Sequence, residues 1–164
     1  MADEYIDLPG IPVVVRGWIT EGVALRAGAQ LPDAPTPGPA ELREALVDCR
    51  GRLDRVDELL VFSTRLKAAA SRHAVSSRAA HEDKWDQAAA RVPAIEYQSS
   101  RDRAAQLNLL IVATTRAARQ ADEQLSLATE AYEVLRTLQR GLDGLRMDLH
   151  RMLTAITFES GLER

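Results

Sequence analysis

The sequence predicts an all-α protein whose main body is a long antiparallel two-helix coiled-coil hairpin. Two features of composition lead to this fold. Hydrophobic residues make up 46% of the 164 residues but aromatic residues only 4%, which is typical of long packed helices because a globular core usually needs more large side chains. Apart from Pro93, every proline lies at or before Pro39, so two long stretches contain no residue that interrupts a helix.

The ends of both helices can be placed from local signals. Pro39 stands where the first turn of a helix accepts proline, and the run "VPAIEY" interrupts the first long stretch. Ser99 or Ser100 can then cap a second helix. We therefore expect helices over 39–91 and 100–158, lying antiparallel because the connection between them is short.

A coiled-coil seam follows both predicted helices. Steps of four and three residues separate its members, with one extra three-step in each helix. In the second helix the seam consists of Leu107, Ile111, Thr114, Ala118, Ala121, Leu125, Ala128, Tyr132, Leu135, Leu138, Leu142, Leu145, Leu149, Met152 and Ile156. In the first helix it consists of Leu42, Leu46, Cys49, Leu53, Val56, Leu59, Phe62, Leu66, Ala69, His73, Ser76 and Ala80. When the chain is folded about a loop near residue 96, the two irregular steps lie opposite each other, which supports the pairing.

Three glycines interrupt the leucine-rich part of this hairpin. Gly51 of the first helix lies opposite Gly141 of the second, and Gly144 follows one turn later. A glycine inside a helix costs about 0.5–1 kcal/mol relative to alanine. We interpret the three as a helix crossing or bend where two backbones approach closely. The alternative is that they are neutral surface positions.

An N-terminal arm and linker, residues 1–38, precede the hairpin region, residues 39–164. The arm contains the segment "IPVVVRGWITEGVALRA", which is rich in β-branched residues. We therefore expect an arm that has little regular structure or that forms a short β-hairpin with a turn at "TEG". A short helix over 19–28 is the alternative.

The arm also carries the residues that we predict to bind a partner. Its apolar side chains alternate imperfectly with polar ones, and such a segment can add a strand to the sheet of another protein. These residues are Ile11, Val13, Val15, Trp18 and Ile19. In the alternative interpretation, the arm folds back on the leucine-rich end of the hairpin and caps it, with Trp18 between the helices.

Further apolar residues fall beside or off the seam and widen the apolar face of each helix. They are Leu60, Val61, Leu109, Leu110, Val112, Val134 and Leu153. Exposed apolar surface of this kind usually marks an interface. We therefore expect a homo-oligomer, a protein partner, or both.

The sequence offers little for catalysis or cofactor binding. It contains no phosphate-binding loop, dinucleotide fingerprint or Gly-x-Ser-x-Gly elbow. The run "HEDKWD" places His81 beside acidic residues, but consecutive residues of a helix point in different directions. Cys49 falls on the apolar stripe, where a buried cysteine is usual. We expect no enzymatic activity, no cofactor and no metal ion.

Charge and cysteine content restrict the partners and the compartment. The net charge of −3 falls entirely within residues 1–40, and the rest of the chain is balanced. No basic surface is available to bind nucleic acid directly. The longest apolar run, "LNLLIVA", is far shorter than the ~20 residues that span a bilayer, so we expect no membrane association. The single cysteine and the acidic start "MADEYIDLPG" predict a cytoplasmic location.

The closing run "RGLDGLRMDLHRMLTAITFESGLER", together with "YQSSRDRAAQLN" at the start of the second helix, resembles small uncharacterised helical coiled-coil proteins of actinobacterial phages. The resemblance carries no functional residues. It implies a non-enzymatic structural or adaptor protein, such as a component of a phage particle, in a bacterial host. The alternatives are a regulatory binder that inhibits a host protein and a DNA-associated accessory factor that acts through a partner.

The fold prediction has a direct test. Helices over 39–91 and 100–158 would make the far-ultraviolet circular dichroism spectrum of the purified protein that of a chain well over half helical. A spectrum that shows less than half helix would contradict the predicted fold.

Overall fold

The computed structural model describes residues 11–32, 37–92 and 100–162. Within these residues the protein is all-helical, as predicted, and contains no strand. Its helices are α1 (Ile11–Ala27), α2 (Pro39–Arg91) and α3 (Ser100–Leu162), of 17, 53 and 63 residues. The range of α2 coincides with the predicted one, and α3 begins at the predicted residue but ends four residues later than predicted. The predicted loop near residue 96 lies outside the described residues.

Local hydrogen bonds explain where α2 begins and ends. The Gly38 amide donates to Glu41 Oε2 over 3.0 Å, which is the return half of a capping box. Pro39 occupies the first helical position, where its missing N–H leaves no hydrogen bond unmade. At the other end the Val92 amide donates to Ala88 O, and Arg103 of α3 donates to the Val92 carbonyl over 2.9 Å. Each end of α2 is therefore closed by a specific polar contact.

The predicted β-hairpin in the arm is wrong, because Ile11–Ala27 is the helix α1. The alternative helix over 19–28 begins eight residues too late. Val15 is only 2% exposed, and Gly22 faces Leu135 and Leu138 of α3. Packing of this kind outweighs the preference of β-branched residues for strands, which spans only about 1 kcal/mol per residue.

The described chain divides into two compact units. One consists of Val13–Arg65 and Glu130–Arg164, and we call it the leucine unit. The other contains Leu66–Thr129, and we call it the alanine unit. Most of α1, which the sequence placed in a separate arm, therefore belongs to the leucine unit.

In the leucine unit, α2 and α3 pack antiparallel around a buried aliphatic core. Cys49 of α2 hydrogen-bonds to Leu142 of α3, and Asp57, further along α2, accepts a hydrogen bond from Gln139, which comes earlier in α3. The buried members of the core are Ala29, Leu42, Cys49, Leu53, Val56, Leu142 and Leu149. Leu59 and Leu135 are also fully buried. Burial of this many leucine side chains is the main source of stability in the unit.

In the alanine unit the contact between α2 and α3 is built from smaller side chains. A cluster of Ala88, Val92, Leu107 and Ile111 is buried, and further along Ala70, Ala74, Ala118 and Ala121 are buried as well. Arg78 of α2 and Asp122 of α3 form an ion pair at 2.7 Å. Because alanine buries little apolar area, each residue of this seam contributes less than a leucine would.

The observed seam departs from the predicted one at several positions. In α3, Gln124 and Ala131 are buried where Leu125 and Tyr132 were predicted, so the extra three-step falls at Gln124 instead of Leu138. In α2, Ser63 is buried in place of Phe62, which lies exposed. Small side chains let helices approach closely, and the larger neighbours are then displaced to the edge of the contact.

Among the described residues, the structure shows no close approach of another helix backbone to the three glycines that were interpreted as a helix crossing or bend. A Cβ atom added at Gly51 or Gly144 would meet nothing within 4 Å, and at Gly141 it would meet only the Arg26 side chain, with Nε at 3.1 Å. Within that distance, these positions meet no backbone atom of another helix in the part of the chain that the structure describes. The close approach occurs instead at Gly22, where an added Cβ would lie 2.9 Å from the terminal carbons of Leu135 and Leu138.

This contact predicts different effects for two glycines of the same helix. Gly22→Leu should displace α1 and destabilise the protein by about 1–3 kcal/mol, the usual range for overpacking. Gly17→Leu is the matched control, because a Cβ at Gly17 meets nothing within 4 Å. It should be neutral, or stabilising by up to about 1 kcal/mol through helix propensity. Urea unfolding followed by circular dichroism measures both, and equal stability of the two variants would contradict the packing of α1.

Candidate protein-docking surfaces

The ionisable side chains of the described residues do not converge on a chemical site. No three of their histidine, cysteine, aspartate and glutamate side chains are placed to hold a metal ion. His81 is half-buried, with Nδ1 3.3 Å from the Thr114 hydroxyl. His150 lies on the surface of α3. These histidines are engaged in packing or exposed singly.

Cys49 lies in the aliphatic core of the leucine unit. The residue is 1% exposed, and its thiol donates a long hydrogen bond of 3.5 Å to the Leu142 carbonyl. Burial raises the pKa of the Cys49 thiol, and the neighbouring Asp48 carboxylate raises it further. A cysteine nucleophile needs an accessible thiolate, so this environment favours a structural thiol.

The side of α1 that faces the leucine unit, which we call its inner face, is fixed to α2 by stacking and by polar contacts. Trp18 stacks on Phe62 with ring centroids 6.3 Å apart and an angle of 23° between the planes. Arg55 pairs with Glu21 at 2.6 Å. This ion pair, followed by the one with Glu58, raises the pKa of the Arg55 guanidinium above its ordinary value.

The C-terminal end of α1 is held by Arg52. Its Nη1 donates to the Leu25 carbonyl over 3.2 Å, one of the carbonyls that the helix itself leaves without a donor. Asp48 fixes the same guanidinium from the other side, at 2.6 Å. A side chain at Gly28 would collide with the guanidinium, so Arg52 would have to move away from the cap to accommodate it.

The five predicted partner-binding residues do not share one surface. Val13 is 73% exposed, whereas Val15 is buried, and Trp18 and Ile19 are half-buried. The side chain of Ile11 lies outside the described residues. Strand addition by these residues is excluded in this structure, because the backbone of α1 makes its hydrogen bonds within the helix.

The outer face of α1 is almost uncharged. The exposed residues of this helix recur on every turn and include a single charged side chain, that of Arg16. They are Val13, Arg16, Gly17, Thr20, Val23, Ala24 and Ala27. A helix face that meets water is normally charged or polar, and a helix that is apolar all round is usually buried. The presence of only one charged residue on a whole helix face is the sequence signal that could have identified this surface.

A second surface of the leucine unit lies on the other side of the α2–α3 pair, and we call it the open groove. Successive residues of a helix are about 100° apart, so Arg50, Asp54 and Asp57 point away from the side of α2 that holds α1. The open groove is lined by Leu46, Val47, Arg50, Leu53, Asp54, Asp57, Leu60, Val61, Thr64 and Arg65 from α2 and by Tyr132, Arg136, Gln139, Asp143, Arg146, Met147 and His150 from α3. Val47 at 74% exposed is the most accessible of its apolar members.

The alanine unit also exposes large apolar side chains. Val75 and Trp85 of α2 are exposed, as are Leu109, Leu110 and Val112 of α3. Four of the residues predicted to widen the apolar face are exposed, namely Val61, Leu109, Leu110 and Val112. The other three, Leu60, Val134 and Leu153, are half-buried.

Comparison of the chain with protein-family models, with curated proteins and with solved structures finds no match. Among the described residues, no helix has a stretch that is both apolar enough and long enough to cross a bilayer.

The buried state of Cys49 predicts its reactivity. In the folded protein at neutral pH, a thiol reagent such as 5,5′-dithiobis(2-nitrobenzoate) should react with it very slowly, because the thiol is covered and its raised pKa leaves little thiolate. In urea the reaction should be complete within the time expected of a model thiol. Rapid stoichiometric labelling of the native protein would show that Cys49 is accessible.

The same pKa shift sets the direction of a pH dependence. The pKa of the Cys49 thiol in the folded protein lies above its ordinary value of 9.0, so the buried thiol contributes stability below about that pH. The contribution is lost as pH rises toward the folded pKa, because the unfolded state then loses its proton first.

Proposed function

We propose that this protein is a non-enzymatic structural or adaptor protein that acts through protein–protein contacts. The observation that carries the proposal is the outer face of α1, which is helical, exposed and nearly free of charge. Contiguous apolar surface on a soluble chain usually marks an interaction site. The exposed leucine and valine side chains of α3 in the alanine unit add a second apolar surface.

We further propose that α2 and α3 associate as an antiparallel coiled-coil hairpin. Two features support this arrangement. Buried residues recur at steps of three and four in each helix, which is the spacing of a coiled-coil seam. Contacts between α2 and α3 are antiparallel within the leucine unit, at Asp57 and Gln139, and within the alanine unit, at Arg78 and Asp122.

The outer face of α1 is the surface that we assign to partner recognition. Its Val13 and Val23 side chains project from the helix, while the inner face holds α1 on the leucine unit. An amphipathic or apolar surface of a partner can therefore dock without unfolding α1. A particle component in a phage, located in the host cytoplasm and then in the virion, is the form of this function that the sequence resemblance supports.

Paired substitutions test the proposal. Tagged wild-type protein should capture a defined set of proteins from the cells that produce it, measured by quantitative mass spectrometry against a tag-only control. Val13→Glu combined with Val23→Glu should abolish that enrichment, because two carboxylates would be desolvated at the contact. Val75→Glu, an equally exposed valine in the alanine unit, is the matched control and should retain it.

The outcomes separate the parts of the proposal. If wild-type protein enriches nothing over the tag, an adaptor role is wrong. If the α1 variant captures the same set as wild type, the adaptor role stands but α1 is not the recognition surface. If the gene belongs to a phage, the presence of the chain in purified virions identifies a particle component. Its absence from virions together with a stoichiometric complex with a host protein identifies a regulator.

A further inference from the structure

We infer that the open groove binds the open groove of a second copy of this chain, with the two α2 helices antiparallel across a two-fold axis near Asp54. The inference names one partner for the adaptor proposed above and rests on that function. It follows from the order of charged and apolar side chains along the groove, which becomes complementary to itself when reversed.

The two helices of the groove can be aligned level by level from one hydrogen bond. Gln139 Nε2 donates to Asp57 Oδ1 over 2.6 Å, and Arg50 and Arg146 line the same part of the groove, so the members of each pair lie at about the same height. The two helices are antiparallel here. Arg50, seven residues before Asp57, therefore lies level with Arg146, seven residues after Gln139. By the same count Asp54 lies level with residue 142, the neighbour of Asp143 in the chain. Asp143 pairs with Arg146 at 3.2 Å.

The exposed stripe of α2 has an order that is symmetric about Asp54. Val47 and Val61 lie seven residues on either side of it, about 10 Å away along the axis. Arg50 lies four residues before Asp54 and Asp57 lies three residues after it. The two valines are therefore mirrored, and Arg50 and Asp57 are opposite charges whose distances from Asp54 differ by one residue.

Reversal of a second copy makes favourable contacts at both kinds of position. Val47 then meets Val61 of the second copy, and Arg50 meets Asp57 of the second copy. On α3, Arg146 meets the Gln139 side chain of the second copy. The two-fold axis repeats every contact, and the central stripe is flanked by Met147 at one end and Leu60 at the other. Such isologous contacts are the usual way in which soluble chains form dimers.

The other two-fold arrangement is disfavoured by charge. With both copies pointing in the same direction, α2 faces α3 of the second copy at the same height. Arg50 would then meet Arg146 of the second copy, and Asp54 would meet Asp143 of the second copy. Like charges placed opposite each other at an interface cost several kcal/mol. The charge pattern therefore selects the antiparallel arrangement and specifies its register.

Two kinds of contact in this register place like charges together, Arg43 with Arg65 of the second copy and Asp54 with Asp54 of the second copy, and the second of them gives an independent test. The two Asp54 side chains approach each other at the axis, with Arg50 of the opposite chain one helical turn away. Removal of this charge by Asp54→Asn should tighten the dimer, whereas substitution of a groove residue ordinarily weakens an interface. A non-self partner seated in the groove would not produce this pattern.

Charge reversal with rescue tests the inference directly. Sedimentation equilibrium across the micromolar range measures the dimer dissociation constant for wild type, Arg50→Asp, Asp57→Arg and the double variant. Each single variant should weaken the dimer by about tenfold or more, because two like-charge contacts form. The double variant should return to within a few-fold of wild type. Arg72→Asp, an exposed arginine of the alanine unit, is the control and should have no effect.

Several results would overturn the inference. They are a monomeric wild-type protein throughout that range, a single variant that dimerises as wild type does, a double variant without rescue, or looser association of Asp54→Asn. Circular dichroism verifies that each variant is folded, and Asp54→Asn tests the register even if a charge-reversed variant unfolds. Partner capture by Arg50→Asp should remain as in wild type, so a failure of dimerisation is distinguishable from a failure of the adaptor function.

Discussion

Burial of one side of α2 against one side of α3 is the contact on which the rest of this structure depends. Helices of 53 and 63 residues owe little of their stability to intrinsic propensity, since most helical stability in proteins comes from packing an apolar face. The stripe of buried residues therefore determines which way every other side chain points. It places Cys49 in the core, directs Val47 and Val61 to one side and Phe62 to the other, and leaves the glycines at 51 and 144 facing solvent.

The third helix depends on that pairing in turn. The segment that forms α1 has few charges and many β-branched residues, and nothing within it dictates a helix. Contact with Leu135 and Leu138 at Gly22, stacking of Trp18 on Phe62 and the cap from Arg52 all come from α2 and α3. A helix held in this way has one face committed to the core and one face available. The available face is unusually apolar, and this links the packing of α1 to the proposed function.

Both proposed docking surfaces arise because a pair of helices has two sides and α1 covers only one of them. The outer face of α1 and the open groove differ in chemistry. The first is nearly uncharged and suits a partner with a complementary apolar surface. The second alternates apolar and charged side chains, which gives it directionality, because charge complementarity contributes more to specificity and register than to affinity. A chain with both can form a symmetric unit and still contact another protein.

Local chemistry alone was sufficient to predict much of this protein from its sequence. The distribution of proline, the capping residues and the spacing of leucine predicted the all-α class and the range of α2, because helix ends depend on residues within a turn of them. The spacing of apolar residues along a helix is also a local property, and it correctly assigned to the core Leu42, Cys49, Leu53, Leu142 and Leu149. Of the predicted partner-binding residues, Val13 is exposed on the outer face of α1, whereas Val15 is in the interior.

Only the tertiary structure decided three features, each of which depends on what lies across a contact. The helical state of α1 depends on the leucine core beside it. The burial of Gln124 and Ala131 in place of Leu125 and Tyr132 depends on how closely α2 and α3 approach. Rotation of a helix about its axis by a fraction of a turn exchanges such neighbouring residues at small cost per residue. The open groove depends on which side of α2 and α3 receives α1. The sequence determined the helices because their signals are local, and the structure determined the surfaces because those arise from contacts between residues far apart in the chain.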